Sequence, residues 1–86
     1  MTSFSFMPVT TVEINGFATR VIRELKGRGM SELAEKLAVD RSYINKIELG
    51  HSTRVSTVFY ARLIAELAIA DHRVLLANPH GTTVAA

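Results

Sequence analysis

The sequence predicts a compact all-α domain of five short helices with a short extended N-terminal arm. Apolar residues recur at the three- and four-residue spacing of helices that cover a core, and the predicted connections are about two to six residues long. Strands do not alternate with helices along the chain, which argues against a parallel α/β sheet. With 86 residues, of which 48% are hydrophobic and 21% charged, the chain suits one small globular domain and excludes a two-domain enzyme.

Residues 1–14 are predicted to be an N-terminal arm or edge strand. Serine and phenylalanine alternate in Ser3–Phe6 with the period of a strand, and Pro8 interrupts this pattern. Asn15 is a suitable N-cap for the first helix, which is expected to end at Gly27–Gly29. The apolar residues of this helix form a stripe expected to face the core, namely Phe17, Ala18, Val21, Ile22 and Leu25.

The second and third helices are each predicted to be about two turns long and to be joined by a short turn. Met30 and Ser31 open the second helix with Ser31 as its cap, and Asp40 caps the third helix, which ends at Gly50. The side chains expected to be buried are Leu33, Ala34, Leu37, Val39, Ile44 and Ile47. The polar residues left on the outer face of the third helix are Arg41, Ser42, Asn45 and Lys46.

Two further helices complete the predicted domain, which spans residues 15–78. Ser56 is the expected cap of the fourth helix and Asp71 that of the fifth. The residues predicted to face inward are Tyr60, Leu63, Ile64 and Leu67 in the fourth helix and Val74, Leu75 and Leu76 in the fifth. Residues 79–86 are expected to form a flexible tail.

Composition narrows the classes of protein to which the chain can belong. It contains no cysteine, so neither a disulfide nor a thiolate metal site is available, and a reducing compartment is the simplest environment. The three histidines lack the spacing of a helical metal pair, and no catalytic group stands out. The sequence shows no signal peptide and no apolar run long enough for a membrane span, so neither secretion nor a membrane partner is expected.

Positive charge is concentrated in the middle of the chain. Residues 20–54 hold eight Lys and Arg against five Asp and Glu, whereas the segments on either side carry no net positive charge. A negatively charged partner is therefore expected to bind the middle segment.

The second and third predicted helices have the features of a helix-turn-helix, in which the second of two short helices can enter a DNA major groove. Ala34 is small enough to stand where the two helices cross, and Val39 can fill the corner between them. Ile44 and Ile47 would hold the DNA-reading helix from behind, which leaves its outer side chains free to contact bases or phosphates.

The residues of this region follow a known pattern, in Ile22–Leu25 and then in Glu32–Gly50, which reads ELAEKLAVDRSYINKIELG. Over residues 17–77 or so, the sequence resembles the lambda-repressor-like helix-turn-helix family of phage repressors, Cro proteins and related bacterial regulators. The resemblance implies a Cro- or repressor-like transcriptional regulator that binds a double-stranded DNA operator, as a homodimer at least on DNA, in the cytoplasm of a bacterium or of a phage-infected host cell. It implies no enzyme activity, no cofactor and no small-molecule ligand.

The resemblance places the base-reading positions at Arg41 and Ser42, followed one helical turn later by Asn45 and Lys46. Arginine is the side chain best suited to a bidentate contact with guanine, although Arg41 could instead pair with Asp40 on the surface. For the other three residues, the alternative is an ordinary solvated helix face.

Residues next to the reading positions are expected to contact the DNA backbone or to support the helix. Tyr43 is expected mainly to pack beside the helix, with some backbone contact at its hydroxyl. In the family, the start of the second helix and the loop after the third helix touch phosphates, and the matching residues here are Ser31, His51 and Arg54. About two residues are missing from the start of the second helix compared with the family pattern, which is the main departure from it.

Glu48 is an acidic residue in a segment that would face DNA, so it is expected to be turned inward and neutralised. In the family, the residue at this position commonly pairs with a basic residue of the first helix. Lys26 is the residue predicted here to form that structural ion pair with Glu48.

Two rival functions and the mode of pairing stay open. An antitoxin-type autoregulator of the same fold would also hold a protein partner, and a helical protein-interaction module would use the fold without binding DNA. Surplus apolar residues indicate where two copies could pair: Phe4 and Phe6 on the arm, and Val74 and Leu76 on the fifth helix. Alternatively, the arm folds back over its own core and the fifth helix pairs alone.

Overall fold

The computed structural model describes residues 10–78 of the chain. Its elements, in order, are β1 (Thr11–Glu13), α1 (Gly16–Leu25), α2 (Met30–Leu37), α3 (Arg41–Glu48), β2 (Arg54–Ser56) and α4 (Thr57–Glu66). The prediction of an all-α domain with five helices is therefore wrong: the described residues form four helices and one two-stranded antiparallel sheet. The residues predicted to be the flexible tail, 79–86, lie outside the described range.

The sheet joins the end of the predicted arm to the loop that follows α3. Val12 pairs with Val55, Thr11 with Ser56 and Glu13 with Arg54. The two valines are buried, and β-branched side chains suit a pleated surface of this kind. Each strand has only three residues, which is too short for a period-two pattern to stand out in the sequence.

The fifth helix predicted after Asp71 does not form. The Asp71 carbonyl accepts a hydrogen bond from Val74 at 3.2 Å, and the Asp71 carboxylate accepts one from the Arg73 amide at 3.0 Å, so the chain makes tight turns instead. It then becomes extended, because Leu76 forms a β-bridge with Ile14 and cannot also continue a helix. The apolar residues still serve the core in part, since Leu75 is fully buried while Val74 is 44% exposed.

Helix α1 begins as predicted, because the Asn15 side chain accepts the Ala18 amide at 3.0 Å, but it buries a different face. Phe17 and Leu25 were expected to face the core and are instead 72% and 80% exposed. The buried side chains are Thr19 and Arg23, both of which have internal hydrogen-bond partners. Ala18 and Ile22 pack against the edge of the core.

Helices α2, α3 and α4 bury the residues that the sequence predicts. The Asp40 and Ser56 side chains cap α3 and α4 by accepting the Ser42 amide at 2.9 Å and the Phe59 amide at 3.0 Å. The buried residues confirmed in this way are Leu33, Ala34, Leu37, Ile44, Ile47, Tyr60, Leu63, Ile64 and Leu67. This core holds α3 at the surface of the domain. Within residues 10–78, no helix has the length and apolar character needed to cross a membrane.

Candidate nucleic-acid interface

The turn between α2 and α3 sets the angle at which α3 leaves the core. Ala38 ends α2 in the left-handed region, at φ 57° and ψ 42°, and the Val39 amide donates to the Ala34 carbonyl at 3.0 Å. Val39 packs against the core as expected. The Asp40 cap then starts α3 at once, and the hydrogen bond from the Ser42 amide lowers the pKa of the Asp40 carboxyl. The hydrogen bonds donated by the Val39 and Ser42 amides therefore order the whole connection.

The outer face of α3 presents four exposed polar side chains: Arg41, Ser42, Asn45 and Lys46. Ile44 and Ile47, on the opposite face, are almost completely buried. Because α3 is held only from behind, its outer side chains are available to a ligand. Arg41, Ser42 and Asn45 line a shallow open cleft at the start of the helix together with Asp40.

Arg41 does not form the surface pair with Asp40 that was its alternative role. The Asp40 carboxylate instead accepts a hydrogen bond from the Ser42 amide. Within residues 10–78, the Arg41 guanidinium has no ion-pair partner. It is therefore the exposed cation at the first turn of α3.

Tyr43 lies at the side of α3 and packs on α4. Its ring meets that of Phe59 edge to face, with the ring centres 5.2 Å apart and the planes at 71°. Partial burial raises the pKa of the Tyr43 hydroxyl. The ring thus has the packing role that the sequence favours, and the contact of its hydroxyl with DNA stays a prediction.

Glu48 is buried and ion-paired as expected, but its partner is Arg23 and not Lys26. The Arg23 guanidinium binds the Glu48 carboxylate with two hydrogen bonds, 2.7 Å from Nε to Oε2 and 3.0 Å from Nη2 to Oε1. Arg23 also donates to the Arg28 carbonyl at 2.9 Å, and the hydrogen bond to Glu48 raises its pKa. Lys26 stands past the end of α1, where its ammonium donates to the Ala68 carbonyl at 3.2 Å. Lys26 therefore belongs to a different contact.

This ion pair joins α1 to the last turn of α3. It also removes the negative charge of Glu48 from the exposed face, so the acidic residue no longer opposes a negatively charged ligand. The sequence indicates that Glu48 is buried, but the partner is decided by the rotation of α1. Since Arg23 shares the buried face of α1 with Thr19, Arg23 and not Lys26 reaches the Glu48 carboxylate.

The other expected backbone contacts lie at the two ends of the same surface. Ser31 is exposed in the first turn of α2, but it is not the cap: Gly29 occupies that position, and its amide donates to Glu32 at 3.4 Å. His51 is exposed in the loop after α3. Arg54 lies in β2, not in a loop as expected.

Thr11 belongs to the site, although the sequence did not indicate a role for it. Its hydroxyl accepts a hydrogen bond from Arg54 Nη1 at 3.1 Å, across the two-stranded sheet. The strand at the end of the predicted arm therefore gives the exposed Arg54 guanidinium a hydrogen-bond partner. No signal in the sequence links the two residues, which stand 43 positions apart.

Arg20 is a further residue near α3 that the sequence did not indicate as part of the site. Together with Arg23 of α1 and Asn45 and Leu49 of the α3 side, it lines a cleft between the two helices. Its side chain is about half exposed and pairs with Glu24 at 3.2 Å. In the part of the chain that the structure describes, no group of three or more His, Asp or Glu side chains could hold a metal ion.

Comparison with known proteins identifies the family to which this chain belongs. A family profile described as helix-turn-helix matches residues 20–67, which hold the α2–turn–α3 unit. The transcriptional regulators SinR of Bacillus subtilis (strain 168) and Bacillus licheniformis are each 40% identical to this chain over 53 residues, covering 62% of the chain and 48% of each regulator. The chain thus spans about half the length of these relatives.

A solved structure shows the same arrangement of helices. It is the crystal structure of SinR, the master regulator for biofilm formation, in complex with DNA. The two chains superpose with a TM-score of 0.60 at 36% sequence identity, over 64% of this chain and 90% of the other. The profile and the superposition rest on the residues that suggested the resemblance, and they show that this chain belongs to the lambda-repressor-like helix-turn-helix family.

Proposed function

We propose that this chain is a sequence-specific double-stranded DNA-binding transcriptional regulator that reads the major groove with α3. One observation carries the proposal: four polar side chains project from a short helix whose other face is fixed in the core. The named relatives are SinR transcriptional regulators, and a SinR structure was solved in complex with DNA. Both findings support the same function for this chain.

The geometry suggests a division of roles along the surface. Arg41, at the exposed start of α3, has the donors for a bidentate contact with guanine, and Asn45, one turn later, suits adenine. Ser42 and Lys46 would add base or phosphate contacts beside them. The phosphate-contacting residues proposed at the two ends of the surface are Ser31, His51 and Arg54.

Arg41→Ala and Arg54→Ala are expected to weaken DNA binding in different ways. Loss of the base contact of Arg41 should cost about 1–3 kcal/mol on the preferred site and relax the preference at one base pair. Loss of the phosphate contact of Arg54 should weaken binding to all sequences alike and reduce the slope of log K against log salt by about one. Fluorescence anisotropy titrations of labelled duplexes at several salt concentrations measure both quantities.

The preferred site needed for this test comes from selection of bound sequences in a random duplex pool. Arg62→Ala is the matched control. Arg62 is exposed on α4, so this substitution removes the same charge outside the proposed interface. Unchanged affinity and base preference in Arg41→Ala would show that α3 does not read DNA in this way. A wild-type chain that binds no duplex at all would favour a helical protein-interaction module instead.

We also infer that two copies bind one operator. A single α3 can contact only a few base pairs, and two-fold pairing doubles the contacts without lengthening the chain. Of the residues first considered for pairing, Leu76 is half-buried in its β-bridge, and Phe4 and Phe6 lie outside the described residues. Val74 remains available and lines a shallow apolar surface with Leu25 of α1.

Paired copies should occupy half-sites about 34 Å apart on one face of the duplex. Sedimentation of the protein with saturating operator DNA is expected to give two copies per duplex, and Val74→Lys is expected to shift the complex toward one copy. Val58→Lys is the control, because Val58 is also exposed but belongs to another surface. One copy per duplex on an asymmetric site would rule out the paired arrangement.

The setting of this function follows from its DNA target. We infer a Cro-like role, in which the regulator acts by competing for operator sites in the cytoplasm of a bacterial or phage-infected cell. The basic outer face of α3 supports this role over a protein-interaction module, for which acidic side chains would be expected there. An antitoxin-type autoregulator would bind DNA through the same face, and a stable complex with a second protein would distinguish it.

A further inference from the structure

A cleft between α1 and α3 places Arg20 beside the proposed DNA-reading helix. Its volume is about 320 Å³, and its walls include Arg20 and Glu24 of α1 and, facing them, Asn45 and Leu49. Asn45 is exposed on the outer face of α3, where it is one of the proposed base-reading residues. Arg20 therefore stands on the α1 wall of a cleft that borders the reading face.

Helix α1 can stand this close to α3 because Gly16 has no side chain. An added Cβ atom at Gly16 would overlap the Ile47 carbonyl oxygen, so the two helices are in backbone contact there. Arg20 follows Gly16 by four residues, about one helical turn. The Arg20 side chain is therefore carried by a helix that the buried pair of Arg23 and Glu48 also joins to α3.

The width of the DNA major groove decides what a side chain beside α3 can contact. The groove is about 12 Å wide, and an α-helix with its side chains is about 10–12 Å across. Once α3 occupies the groove, a neighbouring element lies over the sugar-phosphate backbone at its edge and not over the bases. The cleft also reaches Met30, which precedes the proposed phosphate contact Ser31. Arg20 and Ser31 therefore belong to the same edge of the surface.

The contact between Arg20 and Glu24 can be exchanged for another at little cost. Arg20 Nε donates to Glu24 Oε2 at 3.2 Å, and both side chains are about half exposed. An exposed ion pair between residues four apart on a helix stabilises only weakly, because water solvates both charges. Arg23 differs, because it and its partner Glu48 are both buried. Arg20 is therefore the guanidinium of this cleft that can turn to a new anion.

We propose that Arg20 contacts a phosphate of the operator backbone, and that Glu24 holds the Arg20 guanidinium in the unbound protein and releases it when DNA binds. This contact deepens the proposed function and rests on it, since it belongs to the same interface. A phosphate oxygen takes the place of the Glu24 oxygen as acceptor, and the exposed Glu24 carboxylate stays in water. Glu24 thereby lowers the affinity for DNA, because its ion pair must be broken and its charge repels the phosphate.

Arg20→Ala and Glu24→Gln are expected to change DNA affinity in opposite directions. Arg20→Ala should weaken binding by up to about tenfold at about 0.1 M salt, on preferred and unrelated duplexes alike, and reduce the slope of log K against log salt by about one. Glu24→Gln should strengthen binding by about twofold or more. The matched controls are Arg62→Ala and Glu35→Gln, because both residues are exposed and neither lines the cleft. Weaker binding in both cleft variants would mean that the pair only supports the fold, and it would overturn the proposal.

Operators that carry one neutral methylphosphonate at a time locate the phosphate itself. Replacing the phosphate that Arg20 contacts should weaken binding of the wild-type chain but have little effect on Arg20→Ala, since the contact can be lost only once. If the wild-type chain binds the operator and no phosphate shows this dependence on Arg20, the contact is absent while the reading role of α3 stands. Unchanged affinity and salt slope in Arg20→Ala would have the same meaning. A wild-type chain that binds no duplex would overturn both the contact and the proposed function.

Discussion

Replacing Glu48 with alanine is expected to lower the free energy of unfolding by about 3–5 kcal/mol, because it leaves the Arg23 guanidinium buried without its carboxylate. Both side chains are nearly inaccessible, and two short hydrogen bonds join them. Among the described residues, losing Glu48 leaves the buried guanidinium with only the half-exposed Glu24 carboxylate, at 3.9 Å, whereas replacing both Arg23 and Glu48 with apolar residues removes the buried charge. Arg23→Met combined with Glu48→Leu should therefore be less damaging than Glu48→Ala alone. Urea unfolding followed by far-UV circular dichroism measures each variant.

Lys26→Met serves as the control for this comparison. Lys26 makes one exposed hydrogen bond to the Ala68 carbonyl, so its loss should cost less than about 1 kcal/mol. Glu48→Ala combined with Lys26→Met should then show the sum of the two single effects, whereas combination with Arg23→Met should not. Additive losses for Arg23 and Glu48 would contradict the ion pair.

The α2–turn–α3 unit could be predicted from the sequence because its signals are local. Asp40 caps its own helix, Gly50 follows the end of α3, and Ile44 and Ile47 are three residues apart on one face. Each of these features depends only on neighbours within about one helical turn. The exposed face of α3 follows from them without knowledge of the rest of the fold.

The orientation of α1 could not be predicted in this way. Phe17 and Leu25 form the most apolar stripe of the helix, but the structure buries Thr19 and Arg23 instead. A hydrophobicity pattern counts an arginine as a surface residue, and it cannot anticipate a carboxylate 25 positions away that makes burial acceptable. Because Arg23 was not expected on the buried face of α1, Lys26 was wrongly predicted to be the partner of Glu48.

The sheet and the missing fifth helix depend on the same long-range pairing. Ile14 bridges Leu76, and β1 pairs with β2, so strands form where the sequence predicts an arm or edge strand, a loop and a helical apolar run. Val74 and Leu75 have the pattern of a helix, but backbone pairing at Leu76 draws the chain into an extended conformation. Tertiary hydrogen bonds thus override local propensity over these few residues.

Gly16→Ala is expected to destabilise the domain by up to about 3 kcal/mol, although alanine normally favours a helix. A Cβ atom at Gly16 would overlap the Ile47 carbonyl oxygen and press on the Glu48 Cα atom. Both are backbone atoms of α3 that cannot rotate away, so α1 and α3 would have to separate. Such a shift would also lengthen the two hydrogen bonds between Arg23 and Glu48, which join the same two helices.

Gly29→Ala is the matched control for this substitution. An added Cβ at Gly29 meets no atom within 4 Å, and its backbone, at φ −79° and ψ 150°, suits any residue. The slightly poorer cap of α2 should be offset by a less flexible unfolded chain, leaving a change within about 0.5 kcal/mol. Urea unfolding of the two variants compares the same chemical change with and without the contact to α3. Equal stabilities would show that α1 and α3 do not approach each other this closely at Gly16.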